Sequence, residues 1–278
     1  MHGLHEAGTV RNAHYTPPTV SGLPPLLESA NPSMARAIAT AHQVATFDVP
    51  ILIMGESGTG KNVLAGAIHR WSHRGAGPFV TVSYGAAEER ANEHLAHRAA
   101  GASDPWEDTA VRVKAAAHGT LFFEEVACLP RAVQAKLIRL LDAHQFGPAT
   151  AVGSLGADPR VIAASEHDLE AEVQKGRFRR DLLFHLNVVP IRLQALRERR
   201  EDLPTLTDHI LADLCARHGR GRVQLAPAVR QAFNKYRWPG NVRQLVAVLE
   251  HATVLSQSDT IRMHDLPGPL VDGTAGAW

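Results

Sequence analysis

The sequence predicts an α/β fold of three layers, helices on both faces of a parallel sheet, followed by a small all-helical domain. Three observations carry this. Short apolar runs alternate with stretches of helical periodicity between residues 26 and 200. One of those runs ends in a glycine-rich turn that opens a helix. After Leu203 the strand-like runs stop and only helical patterns follow. Parallel strands need long crossover connections, so this alternation reads as βαβ units.

The elements follow in order. Residues 1–25 read as a loose tail, with three histidines and an adjacent proline pair and no apolar core of a secretory signal. Val49-Pro50-Ile51-Leu52-Ile53-Met54 is a continuous apolar run, as in a strand buried on both faces. A helix follows with Val63, Leu64, Ala67, Ile68 and Trp71 on one stripe. Further strands are expected at Pro78–Tyr84, Thr120–Glu124, Arg160–Ser165 and Val188–Leu193. Pro130 opens a helix whose inner face is Val133, Leu137, Leu140 and Leu141. Residues 86–118 read as two Ala-rich surface helices and a turn. The helical domain spans 201–267, with helices at 204–217, 226–236 and 241–256, and 268–278 is a Gly-rich tail.

Composition narrows the function classes. The chain has 278 residues and a formal charge of +1, from 29 basic and 28 acidic side chains. That balance argues against a dedicated nucleic-acid arm, which would show a basic excess. The longest apolar run is far below the ~18 residues of a membrane-spanning helix, so no membrane segment is expected and the cytoplasm is the expected location. Cys128 and Cys215 are far apart and without metal spacing, which reads as two reduced structural thiols. His69 with His73 and His94 with His97 have helical spacing but no third ligand nearby, and are read as solvated surface histidines.

Two motifs carry chemistry. Gly55-Glu56-Ser57-Gly58-Thr59-Gly60-Lys61 follows a strand and opens a helix, the context of a phosphate-binding loop. Glycines let the backbone curl its N–H groups around an anion, and the helix N-terminus adds partial positive charge. Lys61 would reach the β- and γ-phosphates, and Asn62 takes the place of the usual magnesium-binding Ser or Thr. The second motif is a strand running into Glu124 and Glu125, which would place one acid near magnesium and the other near an attacking water.

With these residues the chain resembles the AAA+ ATPase domain of bacterial enhancer-binding proteins, the activators of sigma-54 RNA polymerase. The resemblance covers about 26–267. Besides the phosphate loop it rests on Gly119-Thr120-Leu121-Phe122-Phe123-Glu124-Glu125, Phe178-Arg179-Arg180-Asp181-Leu182, Leu186-Asn187-Val188, Leu196-Arg197-Glu198-Arg199 and Trp238-Pro239-Gly240-Asn241-Val242-Arg243-Gln244-Leu245. His69-Arg70-Trp71-Ser72 looks most like the alginate-biosynthesis response regulators. The resemblance implies an α/β P-loop NTPase (AAA+) domain with a helical lid, assembling as a hexameric ring with ATP and Mg2+ between subunits. By position, Lys61 would hold phosphate, Glu124 magnesium, Glu125 would polarise water, Arg243 would sense the nucleotide, and Arg179 would be offered to the neighbouring subunit's ATP.

Several positions depart from the family pattern. The first acid of the pair, an Asp in the family, is Glu124. The second intersubunit arginine is His185, and a His lacks the fixed, always-charged fork of an Arg. The Ala-Thr-Asn sensor is Ala164-Ser165-Glu166, which puts a negative charge where a neutral amide should meet the γ-phosphate. Ser83 replaces the Asn that restrains the catalytic Glu. Residues 98–106 replace the Gly-Ala-Phe-Thr-Gly-Ala loop, with Trp106 the only aromatic nearby, so contact with the sigma-54 polymerase is doubtful. No receiver is readable before residue 26 and no helix-turn-helix after 267, so neither phosphorylation input nor a DNA-binding domain is expected. Three readings stay open: an ATP-binding regulator with weakened hydrolysis, joining homo-oligomeric rings or mixed rings with an intact activator; a working ATPase with altered output; and an interaction module whose nucleotide site is a relic.

Overall fold

The computed structural model describes residues 27–84, 106–146 and 158–271. Expectations for the 1–25 tail, for His94, His97 and residues 98–105, and for the end of the 268–278 tail fall outside these residues. Five strands form one all-parallel sheet: β1 (Ile51–Met54), β2 (Phe79–Val82), β3 (Thr120–Phe123), β4 (Arg160–Ser165) and β5 (Val189–Arg192), in the order β2-β3-β4-β1-β5. The strands are those expected, β4 with the same bounds and the others shortened by one or two residues at one or both ends. Hydrogen bonding runs slightly past them, with Glu124 N–H donating to Val82 O at 3.0 Å and Leu193 N–H to Met54 O at 2.8 Å.

Alternation of side chains divides the sheet into two cores. Leu52, Leu121, Phe123, Val161 and Ala163 face one helical layer, and Ile51, Ile53, Phe122, Ile162 and Ala164 face the other. The second layer contains α1 (Pro32–Val44) and α2 (Lys61–Trp71). The first contains α3 (Trp106–Ala115), α4 (Arg131–Phe146), α5 (Leu169–Gln174) and α6 (Arg180–Leu186). Asn31 starts α1, its side chain accepting from Ser33 and Met34 N–H, with Pro32 in the first turn. At the other end of α1, buried Arg160 donates to the carbonyls of Val44 and Ala45 at 3.0 and 2.5 Å.

One expectation is corrected here. His69 is not a solvated surface histidine. It is buried between α2 and the sheet, its Nδ1 lies 2.9 Å from Thr120 Oγ1, and its ring packs 5.2 Å from that of Phe79. Burial pushes its pKa below the usual histidine range. Trp106 begins α3 half-buried against the core, with the Lys136 ammonium 5.8 Å from its ring.

The chain then forms α7 (Leu203–Arg217), α8 (Pro227–Lys235), α9 (Asn241–Leu255) and the short α10 (Gly268–Val271). Their separate core centres on Trp238, which stacks edge-on against Phe233 and Tyr236. This region is not purely helical. Gln224–Leu225 (β6) pairs in parallel with Thr260–Ile261 (β7), a pairing too short to show an alternating pattern. A buried junction joins the two parts. Arg199 donates to Thr59 O at 3.1 Å, and Asp202 accepts from Ser29 Oγ, Ala30 N–H and Asn31 N–H.

Candidate nucleotide site

The site forms where the C-terminal ends of β1, β3 and β4 meet α2 and α9. In parallel α/β sheets, crevices at strand C-termini are where ligands bind. A cavity of about 360 Å³ is lined by Ser57 to Val63, Glu124, Glu125, Glu166, Val242, Arg243, Val246 and Leu27. Two glycines fix the loop's course. Gly58 has φ +75°, and a Cβ there would stand 2.3 Å from Gly240 O. Gly60 starts α2 at φ +108°, with no cap side chain competing for the first-turn amides. A loop of this shape offers backbone N–H groups and a helix terminus to an anion.

Lys61 Nζ donates to the loop's own carbonyls, Gly55 O at 2.7 Å and Glu56 O at 3.1 Å. Burial pulls its pKa down, opposed by the charges of Glu166 and Glu125. Asn62 Nδ2 donates to Glu124 Oε1 at 2.6 Å, bringing these two together. Glu125 is held from three sides. Oε1 accepts from Ser165 Oγ at 2.7 Å and Ala127 N–H at 3.2 Å, and Oε2 from Glu166 N–H at 2.6 Å. Ser83 is exposed at the end of β2, and Ser165 is the serine that holds the acid. That role was not visible in the sequence, because Ser165 and Glu125 are 40 positions apart.

The lid touches the loop directly. Gly58 O accepts from Val242 N–H at 2.9 Å and Arg243 N–H at 3.3 Å, and Arg243 Nη1 lies 3.1 Å from Ser57 Oγ. Glu56 faces the lid instead of the cavity. Its carboxylate takes a two-bond contact from Arg197 at 2.7 and 2.5 Å and a third bond from Asn241 Nδ2 at 3.2 Å. The Arg197 guanidinium is the main reason its pKa falls from the usual 4.5 to about 2. A carboxyl with a lowered folded-state pKa stabilises above its unfolded value and loses that contribution as pH falls through the folded one. The melting-temperature gap between the native chain and Glu56→Gln is therefore full above pH 5 and shrinks from pH 4.5 toward 2. A gap constant over that window contradicts the assignment.

Arg179 and His185 lie away from this cavity. Arg179 is paired through two bonds with Asp181, and His185 Nε2 is 3.3 Å from Asp142 Oδ1 on α4. His185 borders a different surface region, a groove of about 430 Å³ lined also by Arg180, Phe184 and Val188, and Arg179 precedes that lining in sequence. Phe184 is 82% exposed there.

A parallel sheet with this loop between β1 and α2, and a helical lid bonded to it, defines a P-loop NTPase of the AAA+ kind. Comparison with known proteins gives the family. Residues 27–192 match the sigma-54 interaction domain and 197–277 an AAA+ ATPase lid domain. The chain belongs to the sigma-54 interaction domain family. It is 40% identical over 242 residues to the alginate biosynthesis transcriptional regulatory protein AlgB of Pseudomonas aeruginosa, covering 86% of this chain and 54% of AlgB. To the DNA-binding transcriptional regulator NtrC of Escherichia coli K12 it is 35% identical over 245 residues, covering 87% and 52%. The chain thus spans about half the length of the curated relatives it matches. The crystal structure of NtrX from Brucella abortus in complex with ATP superposes with a TM-score of 0.71 at 28% identity, covering 88% of this chain and 57% of NtrX. No helix among the described residues is long and apolar enough to cross a membrane.

Proposed function

We propose that this chain is a cytoplasmic, ATP-binding AAA+ regulator of DNA-templated transcription whose ATP hydrolysis is weakened, acting in homo-oligomeric rings or in mixed rings with an intact activator. The observation that carries this is a contrast inside one site. The phosphate loop, Lys61 and the lid contact line one cavity suited to an anion, while the groups around the expected water position, Glu124, Ser165 and Glu166, depart from the pattern that the family resemblance implies.

In this reading the amides of Gly58 to Lys61 and the Lys61 ammonium bind the phosphates. Asn62 Oδ1 and the Glu124 carboxylate would supply hard oxygen donors of the kind magnesium takes; here the Asn62 amide nitrogen donates to Glu124 at 2.6 Å, so the two side chains are neighbours. Magnesium, when bound, supplies neutralisation of phosphate charge. Glu125 orients water, but Ser165 and the Glu166 N–H already engage its carboxylate. Arg243, bonded to Ser57, reports the nucleotide to the lid. The exposed Phe184 and Val188 beside Arg180 and His185 suit a face that another subunit covers. There Arg179 is one cation for the neighbour's nucleotide, and His185, turned onto Asp142, is a poor second. Loss of an arginine finger typically costs about 10³–10⁵ in rate. The ATP-bound state of the NtrX relative supports the nucleotide assignment.

The test is a gain of function. Restoring both departures together, His185→Arg with Glu166→Asn, is expected to raise steady-state phosphate release by at least about tenfold, a small part of what an arginine finger supplies. No gain from the folded double variant would overturn this account of the weak site.

A further inference from the structure

Resting on the nucleotide-binding reading above, we propose that Glu166 makes this cavity selective for a nucleoside diphosphate over a triphosphate. The lysine of a phosphate loop meets the β- and γ-phosphates of its ligand, so the terminal phosphate of a triphosphate must come close to Lys61 Nζ. Among the cavity's charged groups, Lys61 and Arg243 are positive and Glu124, Glu125 and Glu166 are negative. Before any ligand enters, carboxylates outnumber cations. Glu56 does not add to this, being committed to Arg197 and Asn241 outside the cavity.

Glu166 is placed to act on the last phosphate. Its backbone N–H is fixed on Glu125 Oε2 at 2.6 Å, so its side chain starts beside the other acid. A carboxylate oxygen from each of the two, and a ring nitrogen of His167, all lie within 4.8 Å of one another. Of the acids acting on the Lys61 ammonium, Glu166 has the largest effect. Anything at the far end of the phosphate chain therefore meets two adjacent carboxylates, the half-buried Glu125 and the exposed Glu166, and like charges at such short range repel. A diphosphate ends one group earlier. It uses the loop amides and Lys61 without adding charge beside Glu166.

Calorimetry of the full chain with ADP and with ATP, both with magnesium, tests this. The native chain is expected to bind ADP about tenfold or more tighter than ATP, a difference of about 1.4 kcal/mol. Glu166→Gln, and independently Glu166→Ser, should narrow that ratio to about threefold or less by raising ATP affinity. Glu170→Gln, the same charge change on an exposed residue of α5 outside the cavity, should leave the ratio in place. Equal or tighter ATP binding by the native chain, or a ratio that both Glu166 variants preserve, overturns the selectivity while leaving the nucleotide site standing. A folded native chain that binds neither nucleotide overturns both.

Discussion

Lys61→Ala is expected to abolish nucleotide binding, with a loss of at least about 100-fold in affinity for both ADP and ATP by calorimetry. A charged hydrogen bond contributes roughly 1.5–3 kcal/mol, and Lys61 meets two phosphates while balancing the acids around it. Its bonds in this structure go to Gly55 O and Glu56 O of its own loop. Removing it takes away a donor without leaving a buried charge stranded. The variant should therefore melt within a few degrees of the native chain, and magnesium-ADP should no longer raise its melting temperature as ligand linkage requires. Unchanged affinity in a folded Lys61→Ala protein would sink the phosphate-loop assignment.

Asn241→Ala should be the most damaging substitution at the lid contact. Asn241 is fully buried at φ +51°. Its Oδ1 accepts from Leu196 N–H at 2.8 Å, and its Nδ2 donates to Ser57 O at 2.9 Å and to Glu56. Alanine in the left-handed region costs roughly 1–2 kcal/mol, and an unsatisfied buried amide at Leu196 about 1–3 kcal/mol more. The sum is on the order of 2–5 kcal/mol, or roughly 10 °C of melting temperature for a chain of this size. Asn241→Gly removes the same side-chain bonds but accepts the backbone, so it should recover about 1 kcal/mol relative to Ala. If Gly and Ala destabilise equally, the backbone term is absent and the side-chain bonds carry the whole effect.

These two residues show which parts of the molecule the sequence reveals. Lys61 was readable because everything that defines it is local, an apolar strand, a glycine turn and a helical stripe within some twenty positions. The central strands β1, β3 and β4 were readable for the same reason, since burial on both faces leaves a nearly unbroken apolar run. Asn241 stood inside a legible motif, yet its work was hidden, because the acid it helps hold lies 185 positions away. The same holds for Glu56, read as part of the nucleotide cradle and found bonded to Arg197 across 141 positions. His69 misled for a related reason. A histidine on a helix stripe reads as surface until its partner Thr120 is seen on the sheet beneath it. The pairing of β6 with β7 escaped because two residues per strand carry no period.

The most direct test of the central claim is steady-state phosphate release by the native chain at saturating magnesium-ATP, over a wide range of protein concentration. The account predicts turnover well below the ~1 s⁻¹ at the low end of ordinary enzymes, and little rise as the chain is concentrated, while nucleotide still binds. Turnover above that level, climbing with protein concentration as subunits complete one another's sites, would contradict it and identify a working ATPase.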